Sequence, residues 1–145
     1  MALTPFHVAI PVRDLEESRQ FYHNVLNCRQ GRSSDCWVDF DLYGHQLVIH
    51  QDASIGRDGR LRLHHNSVDT HAVPVPHIGV VLEMDDWEAL ASRLKRKGVK
   101  FVIEPYVRFK GQAGEQATMF FYDPTGNALE FKAFKCIDSQ LFATD

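Results

Sequence analysis

A chain of 145 residues, 44% of them hydrophobic, can bury a core of its own and reads most simply as a single domain spanning 1–145. The formal charge of −3, with Lys and Glu interspersed, leaves no basic stripe, so nucleic acid is not an expected partner. The longest apolar runs are too short to span a bilayer, and the start MALTPFHVAIPVRDL lacks the basic opening and apolar core of a signal peptide; we therefore expect no membrane segment and a cytoplasmic location.

Phe6 to Val12 alternates as a strand, with Phe6, Val8 and Ile10 on one face and His7, Ala9 and Pro11 on the other. Asp14 opens a helix, with Glu17 three residues on as in a capping box. The helix carries a stripe of Leu15, Ser18, Tyr22, Val25 and Leu26 and stops near Asn27. Cys36 to Leu42 and Gln46 to Gln51 read as two strands around a turn at Tyr43-Gly44-His45. Asp52 to Pro76 is rich in Gly, Asp, His and Arg and reads as a linker or lid, and the histidines of its HHNSVDTH run, His64, His65 and His71, read as solvated.

The pattern then repeats. His77 to Leu82 alternates, with Ile78, Val80 and Leu82 against His77, Gly79 and Val81. Asp85 opens a second helix with Glu88 three residues on; Trp87, Leu90, Ala91 and Leu94 form its stripe and Gly98 ends it. His7 and His77 are 70 residues apart, and Asp14 to Asp85 and Asn27 to Gly98 are both offsets of 71, the spacing of a tandem duplication. Val99 to Phe109 is strand-like with a break at Pro105, and Gln116 to Tyr122 follows. Both halves close on Gly-x-x-Leu, Gly44 to Leu47 and Gly126 to Leu129. Cys28, Cys36 and Cys136 are odd in number with no CxxC pair, which predicts reduced, mostly packed thiols.

The last strand carries the chemistry. Asp123-Pro-Thr-Gly is strong turn sequence, and Asn127 to Phe134 leaves it with Leu129 and Phe131 on one face and Ala128, Glu130 and Lys132 on the other. That sets one carboxylate inside an apolar strand, where it needs a partner unless the strand is an edge facing water. His7 and His77 open equivalent strands, each followed two residues later by a very small side chain, Ala9 or Gly79, which leaves room for a ligand beside the imidazole. Either histidine alone is ordinary, satisfied by backbone or water. As a matched pair beside a lone carboxylate they make a donor set suited to Fe(II), with Mn or Zn also tolerated.

The repeated strand-helix-strands pattern, the paired histidines and the ending Asp123-Pro-x-Gly-x-x-x-Glu130 resemble the vicinal oxygen chelate superfamily, which includes glyoxalase I, extradiol dioxygenases and antibiotic-resistance proteins. The resemblance implies an α+β fold of tandem βαβββ modules, about 4–51 and 76–134, forming a curled mixed sheet around a metal cleft, with a linker at 52–75 and a tail at 135–145. It implies metal ligands His7, His77 and Glu130, with Fe(II) favoured and Mn, Zn or Ni as alternatives. Glyoxalase I adds a fourth ligand where this chain has Val48, so the resemblance is nearest to small extradiol-type dioxygenases, which open a catecholic ring beside its diol. The His and apolar-Tyr elements of the extradiol signature are absent, which leaves His50 and Tyr122 as acid–base candidates. Trp37, Phe109, Phe120 and Phe121 are candidate walls, Gln112, Glu115 and Gln116 a candidate cap, and Arg108 a partner for a substrate carboxylate or for Glu104. A glyoxalase-like isomerase or lyase and a non-catalytic, resistance-type binding protein are the other readings, and a small-molecule substrate and a homodimer complete the expectation.

Overall fold

Asp14 takes up its capping role: its Oδ1 accepts the Glu17 N–H at 2.7 Å, and Leu15–Gln20 (α1) follows, widening into a π-type turn at Phe21–Val25. Asn27 ends it at φ 60°, the left-handed conformation that Asn tolerates. The computed structural model describes residues 2–144. It divides into two compact units, one running to Arg62 and including Asp123–Asn127, the other comprising Leu63–Tyr122 and the residues from Ala128.

The first unit holds β1 (His7–Val12), β2 (Arg29–Ser33), β3 (Trp37–Leu42) and β4 (His45–Gln51) in the order β1-β4-β3-β2. β1 runs parallel to β4 and the other pairs are antiparallel. Val8, Ile10, Val12, Leu47, Ile49, Val38 and Phe40 share the face turned to α1, and most are fully buried. Strand β2, sequence RQGRS, carries no hydrophobic alternation and is not foreseen above; its pairing with β3 is a backbone matter. The Asp123–Asn127 turn is a buried polar knot. Asp123 accepts from the Tyr22 hydroxyl at 2.7 Å, from the backbone N–H of Thr125 and of Asn127 at 2.9 Å each, and from Asn127 Nδ2 at 2.8 Å. Burial lifts the Asp123 carboxyl above its ordinary value against the downward pull of those hydrogen bonds, and burial first, then the Asp123 charge, pushes the Tyr22 phenol well above its own.

The second unit repeats the scheme. β7 (His77–Ile78) and β8 (Val81–Glu83) are one strand interrupted at Gly79-Val80, followed by α2 (Met84–Arg96), β9 (Phe101–Arg108), β10 (Gln116–Tyr122) and β11 (Ala128–Phe134). The order β7-β11-β10-β9, with β8 also on β11, matches the first unit strand for strand, so both units are βαβββ modules. Helix α2 starts one residue ahead of Asp85, at Met84, and lays Trp87, Leu90, Ala91 and Leu94 on the sheet, with the Trp87 indole donating to the Phe131 carbonyl at 2.9 Å. Strand β9 continues through Pro105, but its register with β10 slips there: Ile103 pairs with Phe120 and Tyr106 with Thr118, so Glu104-Pro105 forms an irregularity on an edge strand that accommodates the missing N–H.

The segment expected as a linker holds a hairpin, β5 (His64–Val68) and β6 (His71–Val75), turning at Asp69-Thr70 with φ of 48° and 68°. A short helix, α3 (Ile137–Gln140), sits in the tail. Only Cys28 of the three thiols is packed, its pKa pushed up to about 12 by burial; Cys36 and Cys136 are exposed. No helix among the described residues is long and apolar enough to cross a membrane.

Candidate metal centre

In the second unit His77 and Glu130 meet. Strand β7 lies parallel to β11, and the His77 Nε2 sits 3.0 Å from Glu130 Oε2. The other ring nitrogen, Nδ1, is 2.7 Å from the Pro74 carbonyl oxygen. A carbonyl only accepts, so Nδ1 carries the hydrogen, and Nε2 faces a carboxylate oxygen that also only accepts. A neutral imidazole has no second hydrogen to give, so that contact needs either one proton shared between the two groups or a metal ion between them. Glu130 Oε1 is held from behind by the Thr118 hydroxyl at 2.7 Å, and the His77 ring stands edge-on to Phe120, centroids 5.0 Å apart. A tautomer fixed through Nδ1, an Nε2 turned to a carboxylate oxygen and a carboxylate hydrogen-bonded from behind are the supports that metal-ligating side chains need, so the two residues fit a divalent ion.

Gly79 plays a different part from the one its size suggests. A Cβ there would lie 1.5 Å from the Glu130 carbonyl oxygen, so the space is filled by the β11 backbone rather than kept for a ligand.

The pair opens on a cavity of about 220 Å³ within the second unit. Cross-strand register arranges its floor in rows. Glu130 stands opposite Phe120 and Ile103, Lys132 opposite Thr118 and Tyr106, and Phe134 opposite Gln116 and Arg108. Val73, Ile103 and Phe120 form a buried apolar cluster with Tyr106 against it. His71 lines the same cavity, its ring 5.4 Å from that of Tyr106. Arg108 pairs with Asp69 in the hairpin turn at 2.6 Å, not with Glu104.

His7 lies on the first unit's β1, exposed, with Nδ1 2.7 Å from Gln46 Oε1. Gln46 Nε2 donates to Asp39 Oδ2 at 3.2 Å, which fixes the amide so that its oxygen faces the imidazole. His7 therefore has the same tautomer as His77, with Nε2 left free. Val48 occupies the position that Glu130 holds in the second unit, paired with Ala9 and Asp39. Among the described residues no group of three or more His, Cys, Asp or Glu side chains is gathered to hold an ion.

Of the acid–base candidates, His50 is exposed on β4 opposite Pro11 and Trp37. Tyr122 is half-buried with its hydroxyl 3.4 Å from His65 Nε2, and it is not among the residues lining the cavity. Of the candidate walls, Phe120 lines the cavity, Phe121 is core and Phe109 is exposed; of the candidate cap, Gln116 lines it. Thr118 and Lys132 were not singled out from sequence, and His71, read there as solvated, lines the cavity instead. The parity of Lys132 with Glu130 was the available signal for the second, and nothing local marked Thr118.

The chain belongs to the Glyoxalase/Bleomycin resistance protein/Dioxygenase superfamily, whose family model matches residues 4–131. A glyoxalase/bleomycin resistance protein/dioxygenase from Alicyclobacillus acidocaldarius is 30% identical, with TM-score 0.73 over 92% of this chain and 93% of the other. A fosfomycin resistance protein, FosX, from Listeria monocytogenes, solved with Mn(II) and dihydroxypropylphosphonic acid, is 21% identical, with TM-score 0.64 over 92% and 93% of the two chains. A lactoylglutathione lyase from Agrobacterium tumefaciens is 14% identical, with TM-score 0.58 over 88% and 91%. The last two speak for the fold alone.

Proposed function

We propose that the chain is a divalent-metal-dependent enzyme holding a small substrate through two neighbouring oxygens, with ring-cleaving dioxygenase chemistry on a catechol as its reaction and Fe(II) as its metal. The observation that carries the reading is the Nε2 of His77 facing Glu130 Oε2 with Nδ1 already spent on the Pro74 carbonyl. His7, His77 and Glu130 are the proposed ligands, and a homodimer is the proposed assembly. When bound, the ion supplies Lewis-acid charge to the substrate oxygens and, as iron, the redox capacity that a reaction with O2 requires.

The chain's own residues do the rest. The Pro74 carbonyl and the Thr118 hydroxyl hold the imidazole and the carboxylate in place, so little reorganisation is needed when the ion enters. Phe120, Ile103 and Val73 wall the cavity against water. His71 faces the same space with no hydrogen-bond partner for its ring among the described residues, and we assign to it the removal of a substrate hydroxyl proton, ahead of His50 and Tyr122.

Metal analysis of protein purified anaerobically, followed by oxygen uptake on a panel of catechols, tests the proposal. Iron bound stoichiometrically, with catechol-dependent uptake that Glu130→Ala and His77→Ala both abolish, is the expected result. The two variants should lose metal affinity by more than the 10- to 100-fold typical of lost outer supports. Zinc or nickel with no oxygen uptake replaces the dioxygenase by a glyoxalase-like isomerase or lyase, and wild-type protein that binds no metal overturns the enzyme reading.

A further inference from the structure

Lys132 is the uncompensated charge of the cavity. Besides two histidines, three other ionic side chains line it, and each has a partner. Arg108 and Asp69 neutralise one another at 2.6 Å, and Glu130 is in contact with His77 Nε2 at 3.0 Å. Lys132 is half-buried, and its only partner among the described residues is the Phe134 ring, 5.6 Å from Nζ. A half-buried lysine that makes no ion pair among the described residues is an open seat for an anion.

Register says where that seat lies. Glu130 and Lys132 alternate on one face of β11, so their rows are about 6.8 Å apart, two residues of antiparallel strand rise. The two rows are lined by Phe120 and Ile103 beside Glu130 and by Tyr106 beside Lys132, with the Thr118 hydroxyl of the Lys132 row turned to Glu130. Arg108 stands a further row away and is already occupied, which favours Lys132 over Arg108 as the anchor. At about 220 Å³ the cavity is below the roughly 300–1,000 Å³ of sites for drug-sized ligands, so the occupant is small.

We propose that the substrate carries a carboxylate about one aromatic ring's width from its pair of chelating oxygens, and that Lys132 binds it. The proposal rests on the metal-centre reading for the position of those oxygens, and it narrows the substrate class from catechols at large to catechols bearing a ring carboxylate.

Calorimetric titration of full-length, Zn(II)-loaded protein under nitrogen reads binding without turnover. Protocatechuate, which is catechol with a ring carboxylate, should bind about tenfold or more tighter than catechol, the scale of one charge-assisted hydrogen bond. The preference should shrink with added salt. Lys132→Met should bring the ratio near one while Lys132→Arg keeps most of it. A ratio near one in the wild type, a ratio that Lys132→Met leaves unchanged, or a Lys132→Arg variant that behaves like Lys132→Met overturns the seat. Metal content of the same samples reads the metal centre separately. Bound metal without the preference sinks the seat alone. If no metal loads, the centre falls, and a Lys132-dependent preference for benzoate over phenol in the metal-free protein decides the seat by itself.

Discussion

In the first module Val48 stands between Ala9 on β1 and Asp39 on β3; in the second, the same place in the ladder is Glu130, beside Gly79 and opposite Phe120. The carboxylate has changed strands between the two copies. In the second it sits on the last strand and meets the histidine directly. In the first it sits one strand over and reaches the histidine through the Gln46 amide. Both arrangements place the imidazole hydrogen on Nδ1; Nε2 faces Glu130 in the second module and has no hydrogen-bond partner among the described residues in the first. The two halves have thus kept strand order and tautomer while moving the carboxylate from direct contact with the histidine to contact through an amide. A duplicated backbone constrains where side chains point far more than which chemistry they carry.

The sharpest way to break the comparison is at the small residues. Gly79→Ala would place a Cβ 1.5 Å from the Glu130 carbonyl oxygen, where backbone cannot yield, whereas Ala9 already carries a Cβ at the equivalent register. We expect Gly79→Ala to cost on the order of 4 kcal/mol or more in urea unfolding. Ala9→Gly should cost about 0.5–1 kcal/mol through chain entropy alone. Similar small losses in both would mean that the interrupted strand β7–β8 does not approach β11 this closely, and the equivalence of the two modules would have to be redrawn.

The next test asks whether the first module's histidine is held for a metal at all. Gln46→Leu removes the acceptor that fixes the His7 tautomer without touching the core, since Gln46 is exposed. Metal affinity should fall about 10- to 100-fold with the unfolding midpoint unchanged. In metal-free protein, nitrogen NMR of His7 should shift from one tautomer to a mixture. Unchanged affinity alongside a changed tautomer would remove His7 from the ligand set and leave the second module with the whole centre.

What was legible in the sequence followed periodicity. The duplication, both helices, the βαβββ order and the shared face of Ala128, Glu130 and Lys132 all come from alternation and spacing, which a one-residue slip would destroy. Strands β2 and β5 were not legible, because their side chains are mostly exposed and polar and their order comes from backbone pairing; β6, with Val73 buried, was hidden by its prolines and short run. Gly79 was legible as small but not for the right reason, since the approach of β11 to its Cα is a tertiary fact. The outer supports were hidden for the same cause: Thr118 meets Glu130 across twelve residues, Gln46 meets His7 across thirty-nine, and the Pro74 carbonyl has no side-chain signature at all.

The turns that lead into the last strand of each module give the smallest and most discriminating test. In the first module Tyr43-Gly44 turns in solvent, held by the Gly44 N–H on Asp41 at 2.7 Å; in the second, Asp123 is buried and accepts four hydrogen bonds. Because burial raises the Asp123 carboxyl above its ordinary 3.8, the folded chain holds that proton more tightly than the unfolded chain does. Its contribution to stability is therefore fully present below the ordinary value and is lost as pH rises through the raised native one. Asp123→Asn removes the titration, together with a pH-independent loss from re-pairing the Tyr22 hydroxyl and the Asn127 amide. Urea midpoints measured from acid to neutral pH should show the wild type's advantage over Asp123→Asn greatest in acid and declining toward neutrality. An advantage that grows with pH instead would mean that the hydrogen bonds from Tyr22, Thr125 and Asn127 outweigh burial, and that this knot is held by an ionised carboxylate whose charge the first module's open turn never has to shelter.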